Sequence, residues 1–95
     1  MTRKKALAIL KRMKPELQAR YGVERVGVFG SVVRDESGKC SDVDIVVDMP
    51  PDLFAMVHLR EQLEKAFQAQ IDLVRYRKQM NAFLKQRIDT EAEYV

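Results

Sequence analysis

The sequence is poor in the residues that most directly announce a site. One cysteine, Cys40, and one histidine, His58, stand among its 95 residues, and there is no tryptophan. A single cysteine excludes an internal disulfide framework and any multi-cysteine metal centre. His58 has no evident partner ligand, and Cys40, beside Ser41, has no base near it in sequence, so neither reads as a catalytic centre. No apolar run approaches the roughly 20 residues that cross a bilayer, and no leader pattern stands at the start. These absences predict a cytoplasmic chain without membrane contact. Aromatic residues do not interleave with the basic ones as they do on base-stacking surfaces, which disfavours direct nucleic-acid binding.

What is present is globular. Hydrophobic residues make up 46% of the chain and charged residues 33%, a balance that excludes disorder. This length holds one modest core, so residues 1–95 read as a single domain. Charge is uneven: residues 1–21 carry seven Lys/Arg against one Glu, and the remainder carries ten against thirteen acids. A basic first helix suits nucleic acid or an acidic protein partner, and equally a solvated face.

Thr2 is placed to cap a first helix, with Ala6, Ile9, Leu10, Met13 and Leu17 at helical spacing. Pro15 is expected to kink or restart it, and Gly22 to end it. Residues 23–29 predict a buried strand, Gly30-Ser31 a turn, 32–34 a single helical turn, and 35–41 a loop. The next strand, 43–48, puts Val43, Ile45 and Val47 on one side and Asp42, Asp44, Val46 and Asp48 on the other. Pro50-Pro51-Asp52 stops the chain and caps a helix over 53–67, with Met56, Leu59, Leu63, Ala66 and Phe67 on its buried stripe. A third strand, 70–76, and a last helix, 78–91, burying Met80, Phe83, Leu84 and Ile88, complete the order α-β-β-α-β-α. The fold class is α/β (α+β): a small mixed sheet of three or more strands flanked by helices.

The candidate chemistry lies in residues 27–47 and at Asp72. Asp42 and Asp44 share one strand face, about 6.6 Å apart along it, and repel each other unless a cation sits between them. Asp72 interrupts an otherwise apolar strand, where propensity and burial both disfavour it. If that strand pairs beside the second, Asp72 joins the same cluster. Three hard oxygen ligands without His or Cys suit Mg²⁺ or Mn²⁺, and a pair of such ions serves in-line phosphoryl or nucleotidyl transfer. The alternative is that Asp42 caps a loop while Asp44 and Asp72 lie on an exposed sheet face. Gly30-Ser31 can bind phosphate oxygens or be a common turn. Arg34 can reach a triphosphate or be a solvated arginine.

Taken together, Val28-Phe29-Gly30-Ser31, Arg34, Ser41-Asp42-Val43-Asp44-Ile45 and Ile71-Asp72-Leu73 resemble the DNA polymerase β-type nucleotidyltransferase superfamily, and within it the minimal nucleotidyltransferase (MNT) domain. The resemblance implies that fold. It also implies that Gly30, Ser31 and Arg34 hold the nucleotide's phosphates and that Asp42 and Asp44 bind two Mg²⁺ ions. Asp72 completes the metal site facing the acceptor hydroxyl. The implied reaction is attack of a hydroxyl on the α-phosphorus of ATP, transferring AMP and releasing pyrophosphate. One position departs from the family pattern: Asp35 stands where a glycine commonly follows the arginine matching Arg34, and a carboxylate there repels a triphosphate unless it points away.

Prokaryotic MNT proteins of this kind are similar to antitoxins paired with HEPN-domain ribonuclease toxins. The resemblance therefore implies an adenylyltransferase acting on a tyrosine of a partner toxin within a hetero-oligomer. The basic first helix or the segment through Tyr94-Val95 would supply the docking surface. A non-catalytic antitoxin acting by binding alone, and a transferase for a small-molecule or nucleic-acid acceptor, remain the other readings.

Overall fold

The computed structural model describes residues 2–34 and 42–95. The loop expected over 35–41, with Asp35, Cys40 and Ser41, lies outside the described residues. α1 (Arg3–Tyr21) begins where the Thr2 hydroxyl accepts the Lys5 N–H and ends at Gly22, left-handed at φ 69°. The helix does not restart at Pro15, and one helix runs through it. Pro15 is on the exposed side, so water can solvate the carbonyl it leaves unpaired. Leu10, Met13 and Leu17 bury a continuous stripe across it. That packing outweighs a penalty of about 3 kcal/mol for an interior proline.

β1 (Arg25–Phe29) starts two residues later than the sequence suggests, although Val23 is buried. A single 3-10 turn, Gly30–Val32, follows at once, earlier than expected. β2 (Val43–Asp48) and α2 (Leu53–Phe67, capped by the Asp52 carboxylate) fall where the patterning puts them. β3 (Ile71–Arg75) follows α2. α3 (Ala82–Glu91) is shorter than expected because Asn81, whose side chain accepts the Leu84 N–H, starts it. A two-residue β4 (Glu93–Tyr94) comes last.

The sheet order is β3-β2-β1-β4, with β2 and β3 parallel and the other pairs antiparallel. Helices cover both faces. Against α1 and α2 the sheet buries Val26, Val28, Val43, Ile45, Val47 and Ile71. The other face carries a smaller core of Phe29, Val46 and Ile88, and α3 is the helix that supplies Ile88. Phe83, expected in this core, is 74% exposed: α3 begins only at Ala82, and Ile88 and Leu84 are its inward residues.

β4 could have been anticipated from Gly27, since a glycine inside a strand often marks a close backbone approach. A Cβ on Gly27 would overlap the Glu93 carbonyl and reach 3.0 Å from the Tyr94 Cα, both backbone atoms that cannot swing aside. The segment expected to offer a docking surface is thus an edge strand of the sheet. The Val95 N–H bonds to the Val26 carbonyl, and Lys14 Nζ donates to the Val95 carbonyl at 2.6 Å. Gly27→Ala is expected to destabilise the protein by about 1–3 kcal/mol, a fall of about 5–15 °C in Tm, measurable by thermal unfolding.

Candidate active site

The site is assembled by register. β2 runs parallel to β3 with Asp44 opposite Asp72, and antiparallel to β1 with Asp44 opposite Phe29. Side-chain alternation then puts Asp44 and Asp72 on the α3 face, beside each other and next to the turn that follows Phe29. Gly30 takes a left-handed φ of 76°, and a Cβ there would overlap Asp44 Oδ2. The glycine is therefore required twice, for its backbone angle and for the approach of the carboxylate.

Asp44 is half-buried and Asp72 exposed. Burial, followed by the charge of Asp72 and a hydrogen bond with it, pushes the Asp44 carboxyl up to about 6; Arg87 opposes this weakly and Asp42 adds a little to it. Asp42 is exposed at the mouth of β2, next to the residues not described. The sequence thus anticipated the Asp44–Asp72 pairing. Among the described residues, however, no three acidic, His or Cys side chains close into a preformed metal cage.

The donor set nonetheless fits Mg²⁺. The candidate donors are all oxygen, two like-charged carboxylates face each other across neighbouring strands, and Gly30 leaves the space in front of Asp44 clear. Mg²⁺ commonly binds through one or two carboxylates plus substrate phosphates, without an all-protein cage.

A pH dependence follows from Asp44. Its folded pKa lies above that of the unfolded chain, so the folded protein keeps a proton that the unfolded chain has already released. The stability this confers is complete below about pH 4 and is lost as pH rises to about 6. Allowing for the partial exposure of the group, the loss is about 1 kcal/mol. Chemical denaturation in metal-free buffer at pH 4 and pH 6.5 measures it, and Asp44→Asn removes it.

The turn after Phe29 meets two residues of α3 that the sequence reading missed. Ser31 is half-buried in the turn, and the Val33 and Arg34 N–H groups bond back to the Gly30 carbonyl. The Gly30 N–H and the Arg34 guanidinium both donate to Glu91 at the end of α3, at 3.0 Å and 2.7 Å. Arg87, one turn earlier, lies over the Phe29 ring at 6.0 Å. Both were legible only as surface charges on a helix.

Residues 10–95 match the model of the nucleotidyltransferase domain. The chain belongs to that family. This nucleotidyltransferase is 46% identical over 69 residues to the protein adenylyltransferase MntA of Thermococcus cleftensis, a match covering 70% of each chain. Among solved structures it resembles one described provisionally as a minimal nucleotidyltransferase, with a TM-score of 0.78 and 29% identity, covering 98% of this chain and 95% of that one. It also shares its fold with a chain of a Shewanella oneidensis complex between a tri-AMPylated HEPN toxin and an MNT antitoxin. There the TM-score is 0.68 and the identity 21%, over 94% of this chain and 70% of that one. The nucleotidyltransferase fold expected from the sequence is therefore the fold observed. No helix among the described residues is long and apolar enough to cross a membrane.

Proposed function

We propose that residues 1–95 form a single cytoplasmic domain that transfers AMP from ATP, with Mg²⁺, to a tyrosine hydroxyl of a partner HEPN toxin and so acts as its antitoxin. The observation that carries this reading is the in-register pairing of Asp44 with Asp72 directly beside Gly30. The MntA relative, named a protein adenylyltransferase, supports AMP as the transferred group, and the Shewanella complex supports an AMPylated HEPN toxin as partner.

In this reading Gly30, Ser31 and Arg34 bind the β- and γ-phosphates, and Asp42, Asp44 and Asp72 hold the metal. Mg²⁺ supplies charge neutralisation for the triphosphate and lowers the pKa of the acceptor hydroxyl. The hydroxyl oxygen bonds to the α-phosphorus as the bond to the β-phosphate oxygen breaks, pyrophosphate leaves, and Asp72 takes the hydroxyl proton. The protein contributes position and electrostatics, and Asp44, partly withdrawn from water, is the group whose charge most needs a cation.

The competing reading, an antitoxin that acts by binding alone, draws support from Glu91 occupying two of the phosphate donors. Intact-mass measurement separates the two. The protein is incubated with ATP, Mg²⁺ and the product of the adjacent toxin-like gene. Addition of one or more AMP units to the partner, lost with Asp42→Asn, is the expected result. A tight complex without mass change would leave only the binding role.

A further inference from the structure

α3 ends against its own dipole. Glu91 is its last residue, where the unpaired carbonyls form the negative end and a carboxylate is disfavoured; no basic residue stands in that last turn. Both of its oxygens are nevertheless engaged. Oε2 accepts the Gly30 N–H at 3.0 Å and Oε1 accepts Arg34 Nη1 at 2.7 Å. A carboxylate and a phosphate are both oxyanions and form the same charge-assisted bonds with N–H and guanidinium groups, so they compete for these donors. One turn earlier, Arg87 lies over Phe29, the residue opposite Asp44. The last turns of α3 therefore bring an anion to the phosphate-binding donors and a cation toward the carboxylates, the reverse of the site's own charges.

We propose that Glu91 sets nucleotide affinity by acting as an internal substitute for a nucleotide phosphate, one that must leave Gly30 and Arg34 before a triphosphate binds. This rests on the assignment of Gly30 and Arg34 to the phosphates. The apparent affinity is then the intrinsic one reduced by the fraction of molecules in which Glu91 has let go. A residue of this kind keeps the site closed to weakly bound anions and yields only to a ligand carrying more charge than one carboxylate.

The test is equilibrium titration of the full chain, by calorimetry with Mg²⁺, using an ATP analogue whose α–β bridge cannot be cleaved. Glu91→Gln keeps the shape and a neutral acceptor for the Gly30 N–H but removes the negative charge that Glu91 offers Arg34. It is expected to lower Kd about tenfold. The gain should vanish in the Arg34→Ala background, because it acts through that guanidinium. Glu91→Asp, too short to span both donors, should shift Kd in the same direction and provides a second folded variant. An unchanged or raised Kd in variants that keep the wild-type Tm would make Glu91 a structural clamp and overturn the proposal. Failure of the wild type and every variant to bind the analogue would instead remove the nucleotide-binding reading itself.

Discussion

Asp44→Asn is expected to lower transfer of AMP by about 10³-fold or more, equivalent to about 4 kcal/mol of lost transition-state stabilisation. Asparagine matches the shape but removes the charge that, in the proposed function, binds a cation. At neutral pH Asp44 and Asp72 face each other across β2 and β3, so the same substitution also relieves repulsion. The metal-free variant should therefore be as stable as the parent or more so, by up to about 1 kcal/mol after allowance for solvent screening. Single-turnover transfer rates and thermal unfolding at pH 7 measure the two effects. Loss of activity with unchanged or raised Tm identifies a site that sacrifices stability for charge. A fall in both would make Asp44 a structural residue, and retained activity would exclude it from the proposed metal site.

Gly30→Ala is expected to lower activity by about 10²-fold with a smaller effect on stability. The two effects separate because the obstruction differs from that at Gly27. The nearest atom to an added Cβ is Asp44 Oδ2, the free end of a side chain, which can swing away. Stability then falls mainly through the left-handed backbone angle, by about 1–2 kcal/mol for a residue with a Cβ. The carboxylate pays for the accommodation in position: a misplacement of about 1 Å in a catalytic group is enough for a 10²-fold loss. Tm and transfer rate measured on the same preparation test this, and wild-type activity would show that Asp44 need not approach Gly30.

Much of the site was legible because strands transmit spacing faithfully. Asp42, Val43 and Asp44 lead a β-branched run, and alternation predicts both acids on one face, although β2 itself begins only at Val43. Asp72 stood out as a polar residue in an apolar strand. What alternation could not supply was the partner strand. That Asp44 and Asp72 meet depends on β3 lying parallel to β2 in a register set by α2 and by the burial of Ile71. A helix restart at Pro15 and a buried Phe83 were expected wrongly, for related reasons. Local rules price a proline without knowing that it faces water, and periodicity assigns an aromatic to a stripe without knowing where the helix begins.

The sequence by itself determined the family, the order of the main elements and a set of candidate site residues, since each depends on spacing within a single segment. Only the tertiary structure decided how those segments meet. It joined Asp72 to Asp44, placed β4 against Gly27, and brought Glu91 onto Gly30 and Arg34, a contact spanning about sixty residues of chain. Such contacts follow from packing, in which α3 buries Ile88 against Phe29 and Val46 and carries its charged end to the turn that starts at Gly30. No periodicity records where the end of a helix will come to rest.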